Sequence, residues 1–191
     1  MKRKTLKDLF VDELKDMLDA EQRLTKALPK LAKSAHSELL TTAFNDHLEE
    51  TKTHVQRLET VLESVTGSAT SKPCKAMQGL LAEGEELMEE EGAPFVHDSA
   101  LIAAAQKVEH YEIATYGCLR AWAQKLGENE AFELLTKTIK EEAVADRKLT
   151  EIADSFDLDS FENGDDVLEM SGKRSTASMA QKSPAPKHRK N

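Results

Sequence analysis

Seven residues stand where helices should present apolar side chains: Glu21, His47, Glu50, Glu109, Glu112, Glu142 and Asp146. Each interrupts a hydrophobic stripe of helical period, and carboxylates are almost never fully buried without a partner charge or a metal. One interruption of this kind reads as a long side chain reaching solvent from the edge of a stripe. The same interruption in four separate segments reads differently. Six ionised carboxylates in one dry core would repel strongly. Either several hold protons at raised pKa or cations neutralise them, and two divalent metals account for the set with least strain. Oxygen ligands with an imidazole and no thiolate suit iron or manganese, whereas zinc more often recruits cysteine or several histidines.

The elements that must position these groups are four long helices. The first follows Thr5, an N-cap with Asp8 three residues on, and its stripe reads Leu6, Phe10, Leu14, Met17, Glu21, Leu24, Leu28 and Leu31. Pro29 lies inside that pattern and predicts a kink or a weakened last turn. After a connection at residues 34–37 the second stripe runs Leu40, Phe44, His47, Glu50 with Thr51, Val55, Leu58 and Leu62, closed by Gly67. Residues 68–98 form a long crossover with one or two short helices, broken by Gly92 and Pro94. Asp98 or Ser99 caps the third long helix, with Leu101, Ala105, Val108, Glu109, Glu112, Tyr116 and Leu119 on its stripe and Gly127 at its end. The fourth carries Phe132, Leu135, Ile139, Glu142, Asp146, Leu149, Ala153 and Phe156. Two tight hairpins joined by one long crossover make an all-α, ferritin-like four-helix bundle over residues 1–156.

Heights along such a bundle test whether the acids can meet. In an antiparallel hairpin, residues equally far from the turn share a level. Glu21 and Glu50 each lie 14 to 15 residues from the first turn; Glu112 and Glu142 lie 16 and 14 residues from the second. These separations correspond to roughly 21–24 Å of helix, and a long crossover puts the two turns at opposite ends of a bundle roughly 40–45 Å long. Both pairs therefore fall at mid-height. His47, Glu109 and Asp146 are each displaced by one turn from their partners, all in the same direction.

Neighbouring residues invite plainer readings. His54, the i+4 neighbour of Glu50, could ligate but is read as a satisfied core histidine; Tyr116 could hydrogen-bond a metal-bound oxygen or act in redox chemistry but is read as a packing residue with a bonded hydroxyl; Trp122, Cys74 and Cys118 are read as packing residues. His110 and Glu49 fall beside the core stripe, either supporting the site by hydrogen bonds or exposed.

Composition bounds the function. The 191 residues carry 35 Asp and Glu against 26 Lys and Arg, but no acid follows Glu169. The six basic residues beyond it leave a body of net −15, so the chain ends in an acidic and then basic segment, residues 157–191, expected to be disordered. Such a tail makes only weak, incidental contact with nucleic acid, since there is no recognition helix and no aromatic interleaving. No stretch is long enough to cross a bilayer and no secretory signal opens the chain, so a cytoplasmic protein is expected. Two cysteines without zinc or disulfide spacing agree with a reducing compartment.

At four segments the chain resembles the YciE/YciF-type ferritin-like family of bacterial stress proteins. They are Asp19-Ala20-Glu21-Gln22, His47-Leu48-Glu49-Glu50-Thr51, Val108-Glu109-His110-Tyr111-Glu112-Ile113-Ala114, and Glu141-Glu142 followed by Asp146. The resemblance spans Thr5 to Phe156 and implies a ferritin-like bundle with a dimetal centre, often dimeric, associated with stress responses. The chain departs from the usual dimetal pattern of Glu plus Glu-x-x-His in each half. Its second helix reads His47-Leu48-Glu49-Glu50, the reverse order, and its fourth has no histidine beside Glu142 and Asp146. Two functions compete. In one, two iron or manganese ions react with dioxygen or peroxide, as in a ferroxidase or peroxidase. In the other the metals, or protons, only hold a structural or binding protein together, and the tail adds at most a weak nucleic-acid-protecting role.

Overall fold

Thr5 and Asp8 close a reciprocal capping box: the Thr5 hydroxyl accepts from the Asp8 amide and the Asp8 carboxylate from the Thr5 amide, both at 3.1 Å. From it α1 runs over Leu6–Ser34 in the computed structural model, which describes residues 4–156. Pro29 does not end this helix. It sits exposed five residues before the C-terminus, while Leu28 and Leu31 beside it are buried and hold the last turn in place.

Ser37 then caps α2 (Glu38–Thr66), which stops at Gly67. Gly67 has φ 75°, the left-handed conformation that glycine adopts without steric cost. The crossover contains one helix, α3 (Lys75–Glu89), capped by the Cys74 sulfur accepting from the Met77 amide at 3.3 Å. Next come α4 (Pro94–Leu126), closed by Gly127 at φ 75°, and α5 (Asn129–Asp154).

The start of α4 corrects the sequence reading. Pro94 begins the helix rather than breaking the chain, because the first helical position needs no N–H and favours a fixed φ. Asp98 therefore lies inside α4. It is buried and accepts from the amides of His36 and Ser37, at 2.9 and 2.7 Å, so it caps α2 from across the bundle. A carboxylate at that helix N-terminus also meets the positive end of the helix dipole.

The hairpins α1–α2 and α4–α5 pack against each other through α2 on α5 and α1 on α4. Among these four helices every neighbouring pair is antiparallel: Lys7 at the start of α1 reaches Glu128 beyond the end of α4, and Asp46 and Arg57 of α2 pair with Lys148 and Glu141 of α5. The two tight turns accordingly sit at opposite ends. Residues through Phe156 form one compact unit. The core is lined by Phe10, Leu14, Met17, Leu24, Phe44, Leu58, Leu101 and Leu119, each almost fully buried. Burying one such side chain contributes about 1.5–3 kcal/mol.

The crossover helix lies over α1 and α4. Asp19 accepts from the Cys74 amide at 2.7 Å, and Tyr111 donates to Asp16 at 3.2 Å with its oxygen 3.1 Å from the Cys74 sulfur. Cys74 thus does more than pack, and Cys118 is exposed rather than in the core. Among the described residues no helix is long and apolar enough to cross a membrane. The expectations about residues 157–191 lie outside the described residues.

Candidate metal centre

Four helices each deliver charge to one buried level. Glu21 comes from α1, His47 and His54 from α2, Glu109 and Glu112 from α4, and Glu142 from α5. Glu21, His54, Glu112 and Glu142 are 0% exposed, Glu109 3% and His47 6%. Their ligand atoms fall into two groups, each within 4.8 Å: His47, Glu109, Glu112 and Glu142 in one; Glu21, His54 and Glu142 in the other. Glu142 belongs to both.

Five of the seven residues singled out from the sequence are therefore together. Glu50 and Asp146 are not in either group. Glu50 is half-exposed and approaches only the outer nitrogen of His47, Nδ1, at 3.4 Å. Asp146 is partly buried, facing Gln106 and His110, each at 3.3 Å. The reason is angular. The inner face of α2 follows Leu40, Phe44, His47, Thr51, His54 and Leu58, alternating steps of three and four, which leaves Glu50 about 100° off the buried line. On α5 the buried line is Leu135, Thr138, Glu142 and Leu149, with Asp146 at its margin.

His54 is the principal residue that sequence reasoning assigned elsewhere. Its Nδ1 faces Glu142 Oε1 at 2.9 Å and Glu21 Oε1 at 3.5 Å. Its other nitrogen, Nε2, lies 2.9 Å from Glu141, whose carboxylate Arg57 also grips. The signal was present, since His54 lies seven residues, two helical turns, from His47 on the same face. Tyr116, fully buried, donates its hydroxyl to Glu21 Oε1 in a short hydrogen bond. His110 and Glu49 are exposed, and Trp122 packs against the core.

The chemistry of this donor set asks for something between its atoms. Eight buried oxygens and nitrogens of the six residues have no hydrogen-bond partner: Glu21 Oε2, His47 Nε2, His54 Nδ1, Glu109 Oε2 and both oxygens of Glu112 and of Glu142. Several are close without being aligned to bond, as His54 Nδ1 is to Glu142 and as His47 Nε2 is to Glu109 at 3.2 Å. Unsatisfied buried polar groups cost about 1–3 kcal/mol each. The six residues fit divalent cations, which would satisfy these atoms at once.

Electrostatics gives the same picture in the absence of metal. Burial, reinforced by Glu21, Glu142 and Glu109, pushes the Glu112 carboxyl well above the usual range. Burial likewise lifts Glu142 to about 7, against the opposing pull of His54. For His54 burial is the largest influence and acts downward, but Glu142 and Glu21 together carry it up to about 10. His47 is raised in the same way, Glu109 leading against burial. Outside the cluster, Arg57 and His54 outweigh burial and hold Glu141 below its ordinary value. Glu141 is thus an acceptor and His54 Nε2 carries a proton, so Nδ1 is the nitrogen that would offer a lone pair inward after giving up its own proton.

Comparison with known proteins agrees with this architecture. The profile of a family described as a domain of unknown function, DUF892, matches residues 5–158. Protein YciF of Escherichia coli K12 is 46% identical over 154 residues, 80% of this chain and 93% of that protein. The crystal structure of the same E. coli stress protein superposes with a TM-score of 0.76 over 78% of this chain and 95% of that one. YcfI of Rhodopseudomonas palustris, described as a candidate structural protein, is 39% identical with a TM-score of 0.75, covering 78% of this chain and 97% of its own. A Xanthomonas campestris protein, 19% identical over 83% of this chain and 98% of its own, shares the fold at a TM-score of 0.65. The chain belongs to the DUF892 family and is a YciF-type, ferritin-like homologue of a bacterial stress protein.

Proposed function

We propose that this protein is a stress-associated dimetal protein whose bundle centre holds two divalent ions, iron with manganese as the alternative, for redox reaction with dioxygen or peroxide. The observation that carries the reading is the set of eight partnerless buried ligand atoms from four helices. His47, Glu109, Glu112 and Glu142 would hold one ion; Glu21, His54 and Glu142 would hold the other. Bound iron or manganese supplies one-electron redox chemistry of the ferroxidase or peroxidase class.

The chain's own residues do the rest. The Glu142 carboxylate contributes to both groups, so it is the residue the two sites would share. Tyr116 fixes Glu21 through Oε1, while Glu21 Oε2 is buried without a hydrogen-bond partner. Glu141, held by Arg57, orients His54. Near-complete burial lowers the local dielectric. No thiolate is available, because Cys74 caps α3 and Cys118 faces solvent, which supports iron or manganese over zinc. A cytoplasmic homodimer belongs to the same reading, supported on compartment by the two unpaired cysteines.

Anaerobic titration of purified protein with Fe(II) and Mn(II), followed by elemental analysis and stopped-flow absorbance on adding oxygen or peroxide, tests it. Two ions per chain and a metal-dependent burst are expected. Protein that takes up neither metal ends the proposal. Stoichiometric uptake without any burst makes the centre a structural one, the role in which metal raises thermal stability by mass action.

A further inference from the structure

Beside the buried cluster lies a cavity of about 260 Å³, reached by residues of all five helices. Its walls are apolar, formed by Leu28, Leu31, Phe44, Leu81, Met88 and Val108. The space exists because small residues stand where larger ones would close it. Gly84 of α3 faces Ala104 of α4, and a Cβ built on Gly84 would meet the Ala104 Cβ at 3.9 Å, an ordinary contact. Close backbone approach therefore does not impose the void; the choice of glycine and alanine does. Ala105 and Ala43 keep it open from α4 and α2.

One end of the cavity is polar and coincides with the centre: His47 and Glu109 line it, with Glu50 beside them. Elsewhere the charged residues around it are already paired across helices. Lys30 is 2.8 Å from Glu85, and Lys148 is 2.8 Å from Asp46. No free charge remains there to recognise an ionised headgroup, while carboxylate oxygens at the inner end would welcome a hydrogen-bond donor.

We propose that this cavity binds a neutral, medium-chain aliphatic molecule with a hydroxyl-type polar end directed toward His47 and Glu109. The volume sets the length: an apolar cavity of about 150 Å³ accepts benzene, so this one suits roughly eight to ten carbon atoms. The polar end is supplied by His47 and Glu109 themselves, so the inference stands apart from the metal reading.

The test uses the full chain, free of metal, titrated with 1-octanol and with octanoate while methyl NMR signals are followed. Saturable shifts at the lining methyls, Leu28, Leu31, Leu81, Met88 and Val108 among them, are expected, with exposed Leu39 and Val96 unmoved. Octanoate should bind at least tenfold more weakly, and Ala105→Leu, which fills the space, should weaken octanol at least tenfold. No saturable shift, shifts spread equally to Leu39 and Val96, equal affinity for octanoate, or an undiminished affinity in folded Ala105→Leu would each overturn the proposal. Where Ala105→Leu does not fold, the wild-type methyl pattern decides. Metal uptake measured on the same samples separates the two ideas: octanol binding without metal uptake removes the metal reading alone, and metal uptake without octanol binding removes this inference alone.

Discussion

His47 and His54 occupy the same face of α2, with ring centres 6.3 Å apart, yet they are held differently. His54 is fully buried and anchored by Glu141 at 2.9 Å, and that carboxylate is itself pinned by Arg57. His47 leans on Glu50 at 3.4 Å, and Glu50 is half-exposed with solvent to satisfy it. Both rings turn one nitrogen outward to a glutamate and one inward to the cluster, Nδ1 in His54 and Nε2 in His47. One half of the centre is preorganised by a three-residue chain of charge. The other borders the apolar cavity and has a looser support, which is where adjustment on binding should occur.

The widest effect should come from removing what the halves have in common. Glu142→Gln is expected to lower affinity for both ions, by more than about 100-fold, since even outer partners of metal ligands are worth 10–100-fold. Anaerobic calorimetric titration reads this directly, and retention of two tight sites would dissolve the bridging role. Next, Glu141→Gln should weaken the His54 group by about 10–100-fold, whereas Glu50→Gln should change the other group by only a few-fold. Equal losses would erase the distinction between the supports.

Acidity gives a third contrast. Glu142 titrates at about 7 in the folded, metal-free protein against an ordinary 4.5, so the folded state holds a proton that the unfolded chain has released. Stability therefore falls as pH rises from about 5 through 7. His54, at about 10 against 6.5, adds stability that is complete below 6.5 and is lost as pH climbs toward 10. Both signs agree: melts in chelator should shift to lower temperature from pH 5 to 8. Metal affinity should rise over the same interval, because those protons must leave. A melting temperature that increases with pH would contradict the assignment.

The smallest effects lie away from the centre. Asp98→Ala removes the buried cap of α2 and should cost about 1–3 kcal/mol, while Thr5→Ala should cost about 1 kcal/mol. Denaturant unfolding measures both, and metal stoichiometry should be unchanged in each.

Much of this is legible in the sequence. Helical periodicity placed Glu21, Glu112 and Glu142 at one height because rise per residue is constant and tight turns tie each hairpin's register. It misjudged azimuth: Glu50 is one residue around from fully buried Thr51, and Asp146 lies at the margin of the line that holds Glu142 and Leu149. A period of 3.6 cannot be read to better than one residue when polar side chains occupy the stripe itself. Asp98 looked like a local cap because its real partners, the amides of His36 and Ser37, are about 60 residues away.

Chain composition and spacing by themselves determined that four amphipathic helices would fold as two hairpins with a long crossover, carrying acids inward at mid-height. Only the tertiary structure decided which acids and imidazoles meet, that His54 belongs with Glu21 and Glu142, and that small residues of α3 and α4 leave a cavity beside them. Height along a helix is a local quantity, summed residue by residue. Direction around it, and the space between helices, depend on how neighbouring side chains interlock, and no single helix contains that information.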